Sequence, residues 1–250
     1  MFDIPVKNKL DVYFLGQAGF LLVGRSGRRI AVDPYLSDCC NRYFGFKRLM
    51  PEMYTPWDMD LDLLLATHSH YDHFDVDSVP IMMQNRETRL IASVDCQAEC
   101  ERLGLDIGSA EEKITLLRVG DETEQYGISI QAVQCDHGEL APEAAGFLIN
   151  MEGLKIYIAG DTAYRPDIFS NQELHHPDLF IMPINGAFGN MNEEQAAQAI
   201  KIIKPKMAVP CHFWNFAEHG GNPLLFMENM KECAAGFSYT IMRMGECIPL

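Results

Sequence analysis

The sequence predicts one α+β domain spanning residues 1–250, folded as a four-layer αββα sandwich with two sheets face to face and helices outside. Three observations carry that expectation. Apolar runs of strand length, separated by glycine turns, give way to an alternation of strand and helix patterns. The same succession then repeats in the second part of the chain. No linker, low-complexity tract or short-period repeat divides the 250 residues, which suffice for one sizeable core.

The elements follow in order. Val12–Leu15, Phe20–Val23 and Ile30–Val32 are apolar runs closed by Gly16-Gln17-Ala18-Gly19, by Gly24-Arg25-Ser26-Gly27 and by Asp33-Pro34, the pattern of an antiparallel meander. Residues 34–57 have no clear period, are rich in Tyr and Phe, and hold the local basic cluster Arg42, Lys47 and Arg48. A loop of this length reads either as functional or as a hydrophobic cluster folded over a sheet edge. Leu61–Ala66 reads as a buried strand, Asp75–Gln84 as a short helix interrupted near Pro80, and Arg89–Ser93 as a strand. Asp95 is the candidate cap of a helix reaching Leu103. Strands are expected at Ile114–Val119, Ile128–Val133, Gly146–Ile149 and Leu154–Ile158. The last third alternates a strand at Leu179–Met182, a helix from Asn192 to Ile203 with Asn192 as cap, and a strand at Met207–Val209. A helix over Pro223–Ala235 and a strand at Tyr239–Met242 complete it.

Bulk properties narrow the function. A formal net charge of −15 argues against a nucleic-acid partner, which usually meets a basic face. No apolar stretch approaches membrane-spanning length, and Met1–Pro5 lacks the basic and apolar regions of an export signal. The eight cysteines (39, 40, 96, 100, 135, 211, 233 and 247) contain no C-x-x-C pair, so they suggest neither a zinc ribbon nor a disulfide framework. A cytoplasmic protein with reduced thiols and a small-molecule substrate is the expectation, with no membrane partner and with homo-oligomerisation open.

The chemistry concentrates where Leu61–Ala66 ends. Thr67-His68-Ser69-His70-Tyr71-Asp72-His73 holds three of the chain's eight histidines and a carboxylate. His68 and His70, two residues apart, point to one side of an extended backbone, and Asp72 and His73 can face a second centre once the chain turns. Imidazole and carboxylate at this density suit a zinc- or manganese-type ion. His137, Asp161 and His212 each follow a strand pattern, and His175-His176 precede one, as surface residues would.

His68-Ser69-His70-Tyr71-Asp72-His73 resembles the HxHxDH signature of the metallo-β-lactamase superfamily. The resemblance implies that His68, His70 and His137 hold one metal, that Asp72, His73 and His212 hold a second, and that Asp161 bridges them. Six or seven nitrogen and oxygen ligands exceed one tetrahedral ion and suit two open sites. With no cysteine among them, zinc, manganese and iron all remain eligible. Two divalent ions would make hydroxide available at neutral pH, with Asp72 as the catalytic group that orients it and accepts its proton. Asp33 is expected to orient a ligand histidine from behind, or else to cap the Asp33-Pro34 turn.

Cys135–Gly146, Gly160-Asp161-Thr162, Met182–Gly186 and Pro210–Phe213 further resemble the L-ascorbate-6-phosphate lactonase branch. That resemblance implies a hydrolase opening the lactone of a small phosphorylated sugar acid, an anionic substrate. Arg42, Lys47, Arg48 or Arg165 could neutralise its phosphate, and Asn185, Asn192, Trp214, Asn215 and His219 could line its pocket. A phosphodiesterase acting on a small cyclic or lipid-derived diester is the alternative enzyme. A non-catalytic metal-binding scaffold is the alternative from another class.

Overall fold

Apolar strands buried on both faces set the layers. In this computed structural model, which describes residues 8–85, 87–105 and 113–250, two sheets are formed. The opening Met1–Pro5, read for an export signal, lies outside the described residues. The first sheet holds β1 (Leu10–Gly16), β2 (Gly19–Gly24), β3 (Arg29–Val32), β4 (Leu63–Ala66), β5 (Arg89–Ser93) and β6 (Ile114–Leu117). The second holds β7 (Glu122–Gln125), β8 (Ile128–Gln134), β9 (Ala145–Met151), β10 (Leu154–Ile158), β11 (Leu179–Pro183) and β12 (Met207–Cys211). A last strand, β13 (Cys247–Pro249), pairs antiparallel with β1. The helices are α1 (Cys39–Phe44), α2 (Ser78–Met82), α3 (Gln97–Arg102), α4 (Pro166–Phe169), α5 (Glu193–Ile203) and α6 (Pro223–Cys233).

Each sheet begins as an antiparallel meander and continues in parallel: β1 to β3 and then β3 to β6 in one, β7 to β10 and then β10 to β12 in the other. Parallel strands all end on one edge, and side chains from the loops after them can converge there. Leu10, Val12, Phe14, Leu22, Val32 and Leu65 of the first sheet share an inner core with Ile130, Phe147, Ile149, Ile156 and Ile181 of the second. Their sequence neighbours Leu21, Val23, Ala31, Leu64 and Ala66 face outward into a second cluster with Tyr35, Cys39, Tyr54, Phe74 and Cys96. Burial on both faces explains why β2 and β4 are continuous apolar runs instead of alternating ones.

Residues 34–57 fold over the sheet and reach a cavity. Tyr35, Leu36, Cys39, Cys40 and Tyr54 pack into the outer cluster, while Phe44 and Phe46 border a cavity. Two expectations change, and strands appear that the sequence did not announce. Tyr239–Met242 is not a strand: Tyr239 makes one isolated bridge to Ala208, and the strand that closes the chain is β13. Gly245, at φ 81°, turns the chain, and its N–H donates to the Phe14 carbonyl, which delivers β13 to β1. β7 gave no apolar signal because it is an edge strand, joined to β8 by backbone pairing with exposed Glu122 and Glu124. Asp95 does not cap its helix. The Ser93 hydroxyl accepts from Asp95 N–H instead, and the Asp95 carboxylate accepts from Ser69 N–H at 2.8 Å. Asn192 does cap α5, exchanging bonds with Gln195 through a capping box. No helix among the described residues is long and apolar enough to cross a membrane.

Candidate metal centre

Strand ends build the site. β4 stops at Ala66, and the next residues are pinned by carboxylates from the neighbouring strand ends. Asp33, just after β3, accepts Thr67 N–H at 2.8 Å on Oδ1 and the Thr67 hydroxyl at 2.6 Å on Oδ2. Asp95, just after β5, accepts Ser69 N–H. His73 and Phe74 then donate their N–H groups to the His70 carbonyl, so the motif closes as a tight turn. From the second sheet come His137 after β8, Asp161 after β10 and His212 after β12. Gly160 sits at φ 66° where the two sheets' loops touch; a Cβ there would lie 3.2 Å from the Ala145 carbonyl oxygen and 3.3 Å from Thr67 Cβ. The backbone thus needs glycine immediately before Asp161.

Seven donors converge. His70 Nδ1 lies 3.0 Å from His68 Nε2 and 3.2 Å from His137 Nε2. His73 Nε2 lies 3.3 Å from His212 Nε2, and His212 Nε2 lies 3.3 Å from Asp72 Oδ2. Asp161 stands between the two sets, with Oδ1 3.3 Å from His73 Nε2 and Oδ2 3.2 Å from His212 Nε2 and 3.8 Å from His137 Nε2. His68-His70-His137, His68-His73-Asp161 and Asp72-His73-His212 are each able to hold a metal ion. The donor set fits such an ion: imidazole nitrogens crowded within hydrogen-bond distance, buried except for half-buried His70, and with no cysteine. His73 is oriented by Asp33, whose Oδ2 lies 2.8 Å from Nδ1, leaving Nε2 for the centre.

The electrostatics match. Burial and the neighbouring imidazole of His73 hold His68 well below the usual histidine range. Burial also opposes a charge on His73 and His212, but the carboxylates outweigh it: Asp161, Asp72 and Asp33 hold His73 well above the usual value, and Asp161 and Asp72 raise His212 to about 9. Reciprocally, burial disfavours ionised Asp72 and Asp161, yet the facing histidines hold both well below the usual carboxylate range.

A cavity of about 460 Å³ opens over the donors. His70, Asp72, His137, Asp161 and His212 form its floor, and Phe44, Phe46, Tyr71, Phe188 and Leu140 its walls, with Glu99 at one side. No lysine or arginine among the described residues lines it. Arg48 donates to the Tyr35 and Ser37 carbonyls and lies over the Tyr35 ring; Arg42 pairs with Asp77; Arg165 pairs with Asp136 and Asp167. Lys47 and Asn192 are not among the lining residues, and neither is Asn185, which is buried beside Asn192. Trp214 and Asn215 border a neighbouring methionine-lined cleft with Met50, Met53 and Met244. His219 does line the cavity. His175 bonds the Phe169 carbonyl, and His176 is exposed, both away from the centre. Cys211 is buried in the inner core.

Among the polar residues of the site that the sequence does not single out are Glu99 and Gln17. Gln17, 1% exposed, places its amide nitrogen 2.8 Å from Asp72 Oδ2. Its signal was there: an uncharged polar side chain between Gly16 and Gly19, at the end of an apolar strand.

Residues 11–212 match the family model described as the beta-lactamase superfamily domain. A UPF0173 metal-dependent hydrolase of Rubrobacter xylanophilus is 30% identical over 240 residues, covering 94% of this chain and 94% of the relative. One from Saccharolobus solfataricus is 28% identical, covering 95% of this chain and 98% of the relative. Among solved structures, Igni18, a metallo hydrolase of Ignicoccus hospitalis, superposes with a TM-score of 0.75 at 22% identity over 96% of this chain and 97% of that one. An isothiocyanate hydrolase from Delia radicum gut bacteria gives 0.74 at 16% identity over 96% and 98%. At these identities the likeness concerns the fold alone.

Proposed function

From the premise that this chain belongs to the beta-lactamase superfamily, and within it to the UPF0173 metal-dependent hydrolases, we propose that it opens a carboxylic ester or lactone whose body is small, apolar and uncharged. The observation that carries the reading is the cavity, with seven metal-capable donors converging beneath aromatic walls to which the described residues contribute no lysine or arginine. A phosphorylated sugar lactone would need a positive side chain facing this space; Arg42, Arg48 and Arg165 are engaged elsewhere, and Arg102, beside the lining residues Tyr71 and Glu99, is paired with Glu99 and bonded to the Tyr71 hydroxyl.

In this reading His68, His70 and His137 hold one ion, and Asp72, His73 and His212 hold a second, with Asp161 between them. The nitrogen and oxygen donor set favours zinc or manganese and is compatible with iron. Bound there, such ions supply a nucleophile at neutral pH and polarise the carbonyl under attack. Asp72 lines the cavity and stays ionised, so it orients the attacking water; its depressed pKa makes it a better director than proton store. Asp33 keeps the His73 ring in place. Phe44, Phe46 and Phe188 bind the apolar body and exclude bulk water.

The test is turnover by zinc- or manganese-loaded protein on dihydrocoumarin (a neutral aromatic lactone), L-ascorbate 6-phosphate and bis(4-nitrophenyl) phosphate, with His70→Ala as control. Opening of dihydrocoumarin that disappears in the variant is expected. Turnover of the phosphorylated lactone alone, or of the diester alone, would refute the proposed substrate class.

A further inference from the structure

His219 lines the cavity wall, is 5% exposed, and belongs to none of the three metal-capable groups. Its place follows from a sharp return of the chain after β12. Gly220, at φ 71°, packs so closely that a Cβ would lie 2.8 Å from the Asn185 carbonyl oxygen. The turn stacks the His219 ring on that of His212, with centroids 4.8 Å apart and planes 12° apart. Edges of Phe46, Phe188 and Phe216 surround it.

Gln17 decides which ring nitrogen carries the hydrogen. Its Nε2 lies 2.8 Å from Asp72 Oδ2, and an ionised carboxylate only accepts, so the amide nitrogen and not its oxygen faces the centre. One amide hydrogen goes to Asp72. The same nitrogen lies 3.0 Å from His219 Nδ1 and almost equally far, 3.2 and 3.1 Å, from both nitrogens of His212, off the lone-pair direction of either. His212 Nδ1 lies 3.3 Å from His219 Nδ1, but across the near-parallel ring stack and so out of the plane of both lone pairs; the second amide hydrogen therefore points at His219 Nδ1, which accepts it. A neutral imidazole that accepts on Nδ1 carries its own hydrogen on Nε2. That Nε2 has no polar partner among the described residues, and the cavity is the space its ring borders.

We propose that His219 is a catalytic hydrogen-bond donor, its Nε2–H binding the substrate's carbonyl oxygen, and that Gln17 is the positioning residue that fixes the donating tautomer. The proposal rests on the reading of this cavity as the active site of an ester or lactone hydrolase. The bond strengthens as the oxygen gains negative charge, which is how a pre-aimed donor lowers a barrier. The imidazole stays neutral throughout and no bond to hydrogen is broken at it.

The test compares the metal-loaded wild-type protein with His219→Phe, His219→Gln and Gln17→Met. Long-range proton–nitrogen NMR of the wild-type protein, with His219 assigned by its loss in His219→Phe, is expected to show a neutral ring protonated on Nε2. Gln17→Met is expected to lose that single tautomer. On dihydrocoumarin, His219→Phe is expected to lower kcat by about 10²–10³-fold with little change in KM or metal content, the usual cost of one such donor. His219→Gln, which carries an N–H near the Nε2 position, should recover part of the loss. A wild-type ring protonated on Nδ1, or a His219→Phe variant that keeps its kcat, would overturn the proposal. So would a kcat loss accompanied by loss of metal. If the wild-type protein does not open dihydrocoumarin, the hydrolase reading fails separately. The donor is then decided by titrating that lactone: the His219 Nε2–H resonance must move, and an unmoved resonance overturns the proposal.

Discussion

Replacing Asp33 by Asn removes one acceptor from a carboxylate that serves three donors. Oδ1 accepts Thr67 N–H at 2.8 Å, while Oδ2 accepts the Thr67 hydroxyl at 2.6 Å and faces His73 Nδ1 at 2.8 Å. The side chain is 1% exposed, so water cannot substitute. An asparagine has two ways to sit. With its oxygen towards His73, the amide NH₂ meets Thr67 N–H, donor against donor, at the start of the metal motif. With its oxygen towards Thr67 N–H, the NH₂ faces His73 Nδ1, which must then accept. The His73 hydrogen moves to Nε2, and the lone pair aimed at the centre is lost. Either arrangement forfeits a buried hydrogen bond to a charged group, about 1.5–3 kcal/mol. Loss of a residue that orients a metal-binding histidine typically costs 10–100-fold in metal affinity. Asp33→Asn is therefore expected to weaken zinc binding by about 10–100-fold, measured by competition with a chromophoric chelator, and to lower the denaturation midpoint. Zinc affinity equal to that of the wild-type protein, in a variant that is folded by circular dichroism, would refute the reasoning that His73 is held by Asp33.

Three further outcomes follow from the geometry. His212, raised to about 9 by Asp161 and Asp72 against the opposing effect of burial, holds a proton at neutral pH, and a metal that takes its nitrogen must displace that proton. Metal affinity should then fall as pH drops below 9, and calorimetry in two buffers of different ionisation enthalpy should show proton release at pH 7, of which the His212 share fades above 9; equal apparent enthalpies at pH 7 would contradict it. Arg48→Ala should cost ~1–3 kcal/mol of stability through the lost bonds to the Tyr35 and Ser37 carbonyls, while leaving KM for dihydrocoumarin unchanged. A raised KM with unchanged stability would return Arg48 to the substrate site. Gly160→Ala should cost ~1–2 kcal/mol for a left-handed alanine and lower metal occupancy by shifting Asp161. Thermal melts and metal analysis read the two effects separately.

What was legible in the sequence was what local pattern can encode. β1, β2 and β4 announced themselves because apolar runs bounded by glycine have few other uses, and the ligand-capable residues because each follows such a run. β7 and β13 were not legible: their stability comes from backbone pairing with β8 and β1, which leaves no side-chain signature. Arg48 shows a second limit. Charge in a loop beside a motif suggests an anion site, yet only the fold reveals that the guanidinium satisfies two carbonyls of its own loop. Gln17 shows a third. Its amide meets Asp72, His212 and His219 across separations of 55, 195 and 202 residues, and a hydrogen bond between such distant positions has no period to detect. The donors that make this centre metal-capable are thus readable one strand end at a time. The character of the cavity above them depends on which loop side chains are already spent on the protein's own backbone, and that is a property of packing.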